Sequence, residues 1–366
     1  MFSPIIAGTV PRRHPRSIPV LISGRLDGGS RLYFRLISVA PDLSIVVARS
    51  LTEAIAHLAA GGARVAAGGT ELAGTLHIDG SRTTRVVDIR QLDELKGIGP
   101  LPDGGMRIGA LSTLAGVFFN PQVRSSYAAL ARAALASDRP DTRARATIGG
   151  NLCQRPRCWY LRADYHCVRA GGDLCFAADG DNRYHAVLGG SGCHMVHPSD
   201  VAPALVALGA RARIAGPAGV RVTPFAEFFL PPGLDATREN VLGPADVLTD
   251  VLLPPSPAGW ASTYNRSTEA RTGYPLAAVA ATALLMEHAV AEVSVVLGAA
   301  APVPWRAREA EAELLGREPS ARAVRAAADA AMADAMPLAD NRYKIELFRN
   351  LLVASLEEVC GLRPSA

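Results

Sequence analysis

Cysteine is the residue type whose spacing in this sequence most clearly suggests chemistry. Five of the six cysteines, Cys153, Cys158, Cys167, Cys175 and Cys193, fall in one segment of a 366-residue chain. Four chemistries compete for such a group: disulfides, a zinc site, an iron-sulfur cluster and inert buried thiols. A chain of this size needs no disulfide staples, and the polar surroundings "RPRC", "ADYHC" and "GGDLC" argue against inert thiols. The spacing lacks the paired C-x-x-C of zinc ribbons, yet by itself it leaves zinc and iron-sulfur as equal alternatives.

Two glycine pairs form a second kind of candidate site, this time for a phosphate group. In "VAAGGTEL" a predicted strand ends at Gly68 and Gly69, and a helix capped by Thr70 is predicted to follow; "RATIGGNL" repeats the arrangement at 147–151. Glycine lets backbone amides approach an anion, and a helix N-terminus adds positive potential. Neither pair fits a Rossmann or P-loop motif. Each pair alone is most simply a tight turn, but together they favour one diphosphate held between them.

A third candidate is the stretch "HPSDVAPALVALGA". Ser199 and Asp200 precede an apolar periodic run, so they are predicted to cap a helix at 201–208. The functional alternative is that Asp200 accepts hydrogen bonds from a ribityl or ribose hydroxyl. No Ser-His-Asp grouping or carboxylate pair stands out, and we therefore assign no catalytic acid or base.

Composition limits the classes of protein that this chain can belong to. The net charge is +4 and arginines are scattered among acidic residues, which gives no support to nucleic-acid binding. No apolar run approaches the ~20 residues of a membrane helix. Residues 1–41 are predicted to be a poorly ordered extension, and "PRRHPR" is not followed by the apolar region of an export signal. We expect a cytoplasmic protein; the alternative is the periplasm, reached with a signal-bearing partner.

Hydrophobic periodicity predicts the elements that must position these residues. We predict a helix after Ser50, a strand in "ARVAAGG", a helix in "TELAGTL", and strands at 84–89 and 105–111. Further helices are predicted at 123–136 and 201–208. A proline cluster at 254–257 marks a domain boundary. Beyond it we predict a hydrophobic helix at 275–288, a strand in "AEVSVVLGAA", and helices at 306–315, 320–335 and 343–359.

Five motifs follow one another in the order found in one known family. They are "AGGTEL", "ATIGGN", "HPSDVAPAL", "DVLTDVLLP" and "NRYKIELFRNLL". Over roughly residues 45–362 the chain resembles the FAD-binding (medium) subunit of the xanthine dehydrogenase and carbon monoxide dehydrogenase family of molybdenum hydroxylases. The resemblance implies an α+β fold: a two-subdomain FAD-binding domain of the vanillyl-alcohol oxidase (PCMH) type at 42–254, then a C-terminal α+β domain of the CO dehydrogenase flavoprotein type at 255–366.

The resemblance also assigns residues to FAD and to a metal cluster. The two FAD diphosphate loops would be Ala67, Gly68, Gly69, Thr70, Glu71 and Leu72, and Thr147, Ile148, Gly149, Gly150 and Asn151, with Asp200 as a further flavin contact. The insertion at about 153–196 resembles the one that carries an additional [4Fe-4S] cluster in the branch that includes the flavin subunit of periplasmic aldehyde oxidoreductase. The implied ligands are Cys158, Cys167, Cys175 and Cys193. Cys153 is left out because it directly follows a flavin loop, where the family tolerates other residues.

The function implied by the resemblance is electron transfer within an oxidoreductase complex. A molybdopterin-binding large subunit would oxidise an aldehyde or an N-heterocycle, and a [2Fe-2S] small subunit would relay the electrons to FAD on this chain and on to an external acceptor. Two alternatives stay open. One is a free-standing flavin oxidoreductase, and the other is a non-enzymatic scaffold whose thiolates bind zinc.

Overall fold

The computed structural model describes residues 18–20, 37–39, 43–76, 78, 83–269 and 274–362. The extension at 1–41, expected to be poorly ordered, lies outside these ranges except for two short strands, β1 (Ile18–Val20) and β2 (Ile37–Val39), which pair antiparallel. None of the described helices is both long enough and apolar enough to cross a membrane.

The first subdomain is a small parallel sheet with one helix. Its strands lie in the order β3-β5-β4, and its elements are β3 (Ser44–Val47), α1 (Leu51–Ala59), β4 (Ala63–Ala66) and β5 (Arg85–Asp88). The predicted capping of α1 is confirmed, because Ser50 Oγ accepts a hydrogen bond from the Glu53 amide at 3.1 Å. Parallel pairing brings the carboxyl ends of β4 and β5 to one edge of the sheet, so the loop that follows β4 opens there.

The helix predicted in "TELAGTL" is wrong. Only a 3-10 turn forms, at Leu72–Gly74, and it has no side-chain cap. The Thr75 hydroxyl donates back to the carbonyls of Glu71 and Leu72, at 3.2 and 3.1 Å. Threonine hydroxyls compete in this way with the helical ladder, and Gly74 adds a weak helix former, so the segment stops after one turn.

The second subdomain is a five-stranded antiparallel sheet in the order β6-β7-β10-β8-β9, covered by short helices. Tyr127 breaks the helix predicted at 123–136 into two, and its hydroxyl donates to the Pro254 carbonyl at 2.7 Å. The elements are β6 (Ile98–Pro100), β7 (Met106–Gly109), α2 (Leu114–Phe119), α3 (Pro121–Ser126), α4 (Ala128–Ala136), α5 (Pro140–Arg143), α6 (Ile148–Leu152), α7 (Trp159–Arg162), α8 (Val201–Ala207), β8 (Arg211–Gly216), β9 (Gly219–Pro224), α9 (Phe225–Phe228) and β10 (Val247–Leu253).

The C-terminal domain is a four-stranded antiparallel sheet covered by three helices. The strands lie in chain order, and the elements are β11 (Trp260–Thr268), β12 (Pro275–Met286), β13 (Ala289–Gly298), β14 (Trp305–Arg306), α10 (Arg308–Leu314), α11 (Ala321–Ala331) and α12 (Tyr343–Val359). The sequence predicted a strand and three helices for the segments of β13, α10, α11 and α12, and these predictions are confirmed.

The helix predicted at 275–288 is wrong, since this segment is strand β12. Alternate residues of β12 lie in two different cores. Ala277 and Val279 pack with the C-terminal helices, whereas Ala278 and Ala280 pack with the second subdomain. A strand buried on both faces carries no polar alternation, so its sequence reads as a continuous apolar run that periodicity cannot distinguish from a buried helix.

The cysteine-rich insertion contains little regular structure, and side chains of the C-terminal domain hydrogen-bond to its backbone. The buried Lys344 ammonium of α12 donates to the carbonyls of Ala299 and His185, at 2.6 and 3.0 Å. Asn341 Nδ2 donates to the carbonyls of His185 and Ala186. Because buried carbonyls need donors, these two side chains fix the C-terminal part of the insertion against the last domain.

Candidate functional site

The two glycine loops face each other across one cleft of ≈ 250 Å³. The first loop follows β4, and the second lies at the start of α6. Ten of the twelve residues predicted to contact FAD line this cleft: Ala67, Gly68, Gly69, Thr70, Glu71, Leu72, Thr147, Gly149, Gly150 and Asn151. The other two do not line it, because Ile148 is fully buried in the core and Asp200 is buried directly before α8.

The loops approach so closely that only glycine fits at one position. A Cβ atom on Gly68 would lie 2.0 Å from the Arg145 carbonyl oxygen, while Gly69 has a φ of +72°. Within the described part of the chain, the backbone amides of Gly68, Gly69 and Thr70 have no acceptor. Open amides in a glycine turn suit an anionic oxygen, which fits the diphosphate expected here.

The amides of the second loop are already used in positioning it. The Thr147 hydroxyl accepts from the Gly150 amide at 3.1 Å, and the amides of Ile148 and Gly149 donate to the carbonyls of Ser112 and Ala110, both at 2.9 Å. This loop is therefore a rigid wall of the cleft. Its Gly149 and Gly150 carry no side chains that would narrow the space.

Three arginines that the glycine motifs did not predict line the cleft. Arg64, Arg155 and Arg157 line it together with Asp138 and Asp246. Burial, together with the nearby Arg155, lowers the pKa of Arg64. Guanidinium groups bind phosphate oxygens well, and no sequence motif marks these three positions.

Asp200 uses its carboxylate within the protein. Oδ1 accepts from the Tyr264 hydroxyl at 2.5 Å, and Oδ2 accepts from Arg266 at 2.6 Å. Burial, with Asp200 as neighbour, raises the pKa of Tyr264 well above its ordinary value. Both partners lie on β11, so Asp200 ties α8 to the C-terminal domain. Its predicted contact with the flavin stays a prediction.

The neighbouring Ser199 links α8 to the cleft. Its hydroxyl accepts from the Ala202 amide at 3.1 Å, which caps α8, and it donates to Asn151 Oδ1 at 2.6 Å. Asp200 makes no capping hydrogen bond, so the predicted cap belongs to Ser199 alone. Through this contact a residue 48 positions away orients a side chain of the second loop.

Replacing Ser199 with Ala is expected to destabilise the protein by about 1–2 kcal/mol, because the cap of α8 and the donor to buried Asn151 are lost together. Urea unfolding followed by far-UV circular dichroism measures the change. Ser320→Ala is the matched control. Ser320 caps α11 through the Ala323 amide at 3.2 Å, and its side chain makes no second hydrogen bond to the described residues. The role of the Asn151 contact would be contradicted if S199A lowered the free energy of unfolding no more than S320A does.

A second, small cavity gathers the four cysteines predicted to be cluster ligands. Cys158, Cys167, Cys175 and Cys193 all line it, whereas Cys153 lines the larger cleft. A hydrogen bond from Cys175, together with Arg169 nearby, lowers the pKa of Cys193 to about 5 although burial opposes the shift. Burial raises the pKa of Cys158 to about 11. We call this space the thiol cavity.

The thiols are not arranged around a single ion. Within the ranges described above, no three His, Cys, Asp or Glu side chains are grouped so that they could hold one metal ion. The thiolates of a zinc site share one atom at ≈ 2.3 Å, but those of an iron-sulfur cluster each bind a different iron and stand farther apart. The role of the four cysteines as cluster ligands stays a prediction.

Two sets of ion pairs join the insertion to the cleft, and one of them reaches the thiol cavity. Glu239 accepts from Arg155, which lines the cleft, at 3.1 Å and from Arg169, which lines the thiol cavity, at 3.0 Å. Glu71 of the first loop pairs with Arg162 of α7 at 2.5 Å. Sequence reasoning missed these residues, because only folding brings Glu239 beside the insertion.

Comparison with known proteins places both halves of the chain. The profile of a family described as the FAD binding domain in molybdopterin dehydrogenase matches residues 41–256, and that of the CO dehydrogenase flavoprotein C-terminal domain matches residues 262–359. The chain is similar to the aldehyde oxidoreductase FAD-binding subunit PaoB of Escherichia coli (strain K12), with 35% identity over 81% of this chain and 91% of that protein. It is also similar to the carbon monoxide dehydrogenase medium chain of Hydrogenophaga pseudoflava, with 26% identity over 83% and 91%.

A solved structure shows the same architecture. This structure is that of carbon monoxide dehydrogenase from Hydrogenophaga pseudoflava, in a form that lacks the Mo-pyranopterin moiety of the molybdenum cofactor. It matches with a TM-score of 0.70 and 25% sequence identity, and the match covers 88% of this chain and 99% of that one. The predicted fold, a FAD-binding domain followed by a C-terminal domain of the CO dehydrogenase flavoprotein type, is confirmed.

Proposed function

The chain belongs to the FAD-binding subunits of the molybdopterin dehydrogenases, and from this premise we propose that it carries a [4Fe-4S] cluster beside the flavin and transfers electrons between a [2Fe-2S] small subunit, FAD and an external acceptor. As the flavoprotein subunit of a molybdenum hydroxylase of the aldehyde oxidoreductase and CO dehydrogenase type, it is part of an oxidoreductase. The cluster, the partner types and the electron route are the proposed steps. The proposed reaction of the whole complex is oxidation of an aldehyde or an N-heterocycle.

The residues present in the cleft fit FAD. The open amides of Gly68, Gly69 and Thr70 would bind the diphosphate, with Arg64 and Arg155 adding positive charge. Bound FAD would supply the redox chemistry, while the protein orients it and sets its electrostatic surroundings. The rigid second loop, at Thr147 to Asn151, would form the opposite wall.

One observation carries the cluster proposal: four thiols that are scattered over the insertion line one cavity, and the ion pairs of Glu239 with Arg155 and Arg169 join that cavity to the flavin cleft. A bound cluster would supply one-electron chemistry. The fifth cysteine of the segment, Cys153, faces the flavin cleft instead, which supports its omission from the proposed ligands.

Metal and flavin analysis of the full chain, purified anaerobically, tests the proposal. We expect about one flavin together with about four irons and four acid-labile sulfides per chain. Flavin without iron would sink the cluster, and zinc in its place would favour a structural site. Co-purification with a molybdopterin-binding subunit separates this function from that of a free-standing flavin oxidoreductase.

A further inference from the structure

Arg169 is a buried charge on the wall of the thiol cavity, and the proposed function gives it no role at the cluster. It lies on the 3-10 turn Val168–Ala170 of the insertion and lines the thiol cavity. Its side chain is only 1% exposed and pairs through Nη1 with Glu239. Its Nε and Nη2 groups are buried and have no partner in hydrogen-bonding geometry within the described chain, although Cys193 is near enough for Arg169 to lower the pKa of that thiol. A buried guanidinium with two open donors needs an acceptor.

Arg169 belongs to a buried group of charges. Arg155 and Arg169 share the carboxylate of Glu239 in a region that is largely shielded from water. The side chains of Arg155 and Glu239 are 15% and 9% exposed. Taking a positive charge out of water is costly unless negative groups and hydrogen-bond acceptors lie beside it. The thiol cavity is where such a group would lie.

A cluster held by four thiolates is negatively charged, and its reduction potential depends on net charge, burial and hydrogen bonds to sulfur. Reduction adds a further negative charge, which a neighbouring buried guanidinium stabilises. The same carboxylate that orients Arg169 also contacts Arg155 on the wall of the flavin cleft. A change at Glu239 would therefore be felt at both cofactor sites.

We propose that Arg169, oriented by Glu239, donates hydrogen bonds to the sulfur atoms of the cluster in the thiol cavity. These hydrogen bonds and the charge of Arg169 raise the reduction potential of that cluster. Through Arg155, Glu239 couples this site electrostatically to the flavin cleft. Arg169 and Glu239 are thus positioning residues for electron transfer. The proposal rests on the presence of the cluster in the proposed function.

The test compares four variants of the full chain by redox titration, with the cluster followed by electron paramagnetic resonance and the flavin by absorbance. At the midpoint potential of the wild-type cluster, Arg169→Gln is expected to lower the ratio of reduced to oxidised cluster at least tenfold. For one electron this corresponds to a fall in the reduction potential of about 59 mV. Arg169→Lys keeps the charge and should retain most of the potential. Glu239→Gln removes the shared negative charge and should raise the potentials of both cluster and flavin.

The control is Arg183→Gln, which removes a positive charge from the same insertion at a side chain that is 57% exposed and paired with Asp181. Water and salt screen that charge, so little change is expected. The proposal is overturned if the reduction potential of the cluster shifts equally in R169Q and R183Q. It is also overturned if that potential shifts in the same direction in R169Q and E239Q. If R169Q binds no iron, the reduction potential of the cluster in E239Q decides. A higher potential than in the wild type supports the proposal, and an unchanged or lower potential contradicts it. A wild-type protein without iron would instead refute the proposed function.

Discussion

Cys175→Ser is expected to remove the bound iron and leave the flavin in place. Cys175 is half-buried and lines the thiol cavity together with Cys193. A serine hydroxyl is a far poorer ligand for iron than a thiolate, so a cluster with three good ligands would be lost during purification. The flavin should remain, because Cys175 does not line the cleft between the glycine loops. Iron, acid-labile sulfide and flavin are measured per chain.

Two other cysteines provide matched controls for this substitution. Cys153→Ser changes a half-buried thiol of the same segment that lines the flavin cleft, and Cys360→Ser changes a buried thiol at the end of α12. Both variants should keep full iron content. Loss of iron in C153S with retention in C175S would show that the ligand set is assigned wrongly. Loss in all three variants would indicate general instability of the protein.

Gly68→Ala is expected to abolish flavin binding. The new Cβ would lie 2.0 Å from the Arg145 carbonyl oxygen and 3.2 Å from the Ala146 Cα, and all of these contacts are with backbone. No side-chain rotation relieves such a clash, so the two loops must separate and the open amides of the first loop must move. Overpacking of this kind costs about 1–3 kcal/mol. The ratio of flavin absorbance to protein absorbance and the urea midpoint measure both effects.

Gly99→Ala is the matched control for the glycine prediction. Gly99 lies on β6, and a Cβ there meets nothing within 4 Å, so the substitution should leave the flavin content unchanged. A G68A protein that retains full flavin would contradict the close approach of the loops. If G68A loses flavin but unfolds at the wild-type urea concentration, the effect is confined to the cleft.

Local sequence signals were sufficient where the structure depends on nearby residues. The Ser50 cap of α1, the strand that leads into Gly68 and the amphipathic α11 all follow from neighbours within a few positions. The same signals failed where tertiary contacts decide. Burial on both faces made β12 look helical, and the Thr75 hydroxyl ended the turn that was predicted to be a helix.

By itself the sequence determined the parts of the site: two glycine loops, a serine cap and a segment rich in cysteine. Tertiary structure decided how these parts are used. It separates Cys153 from the other four cysteines of the segment, pairs Asp200 with Tyr264 and Arg266, and places Glu239 between two arginines. The physical reason is that glycine turns and helix caps are set by short-range backbone geometry. The pairing of buried charges and the convergence of thiols depend on residues tens of positions apart, which meet only when the domains pack.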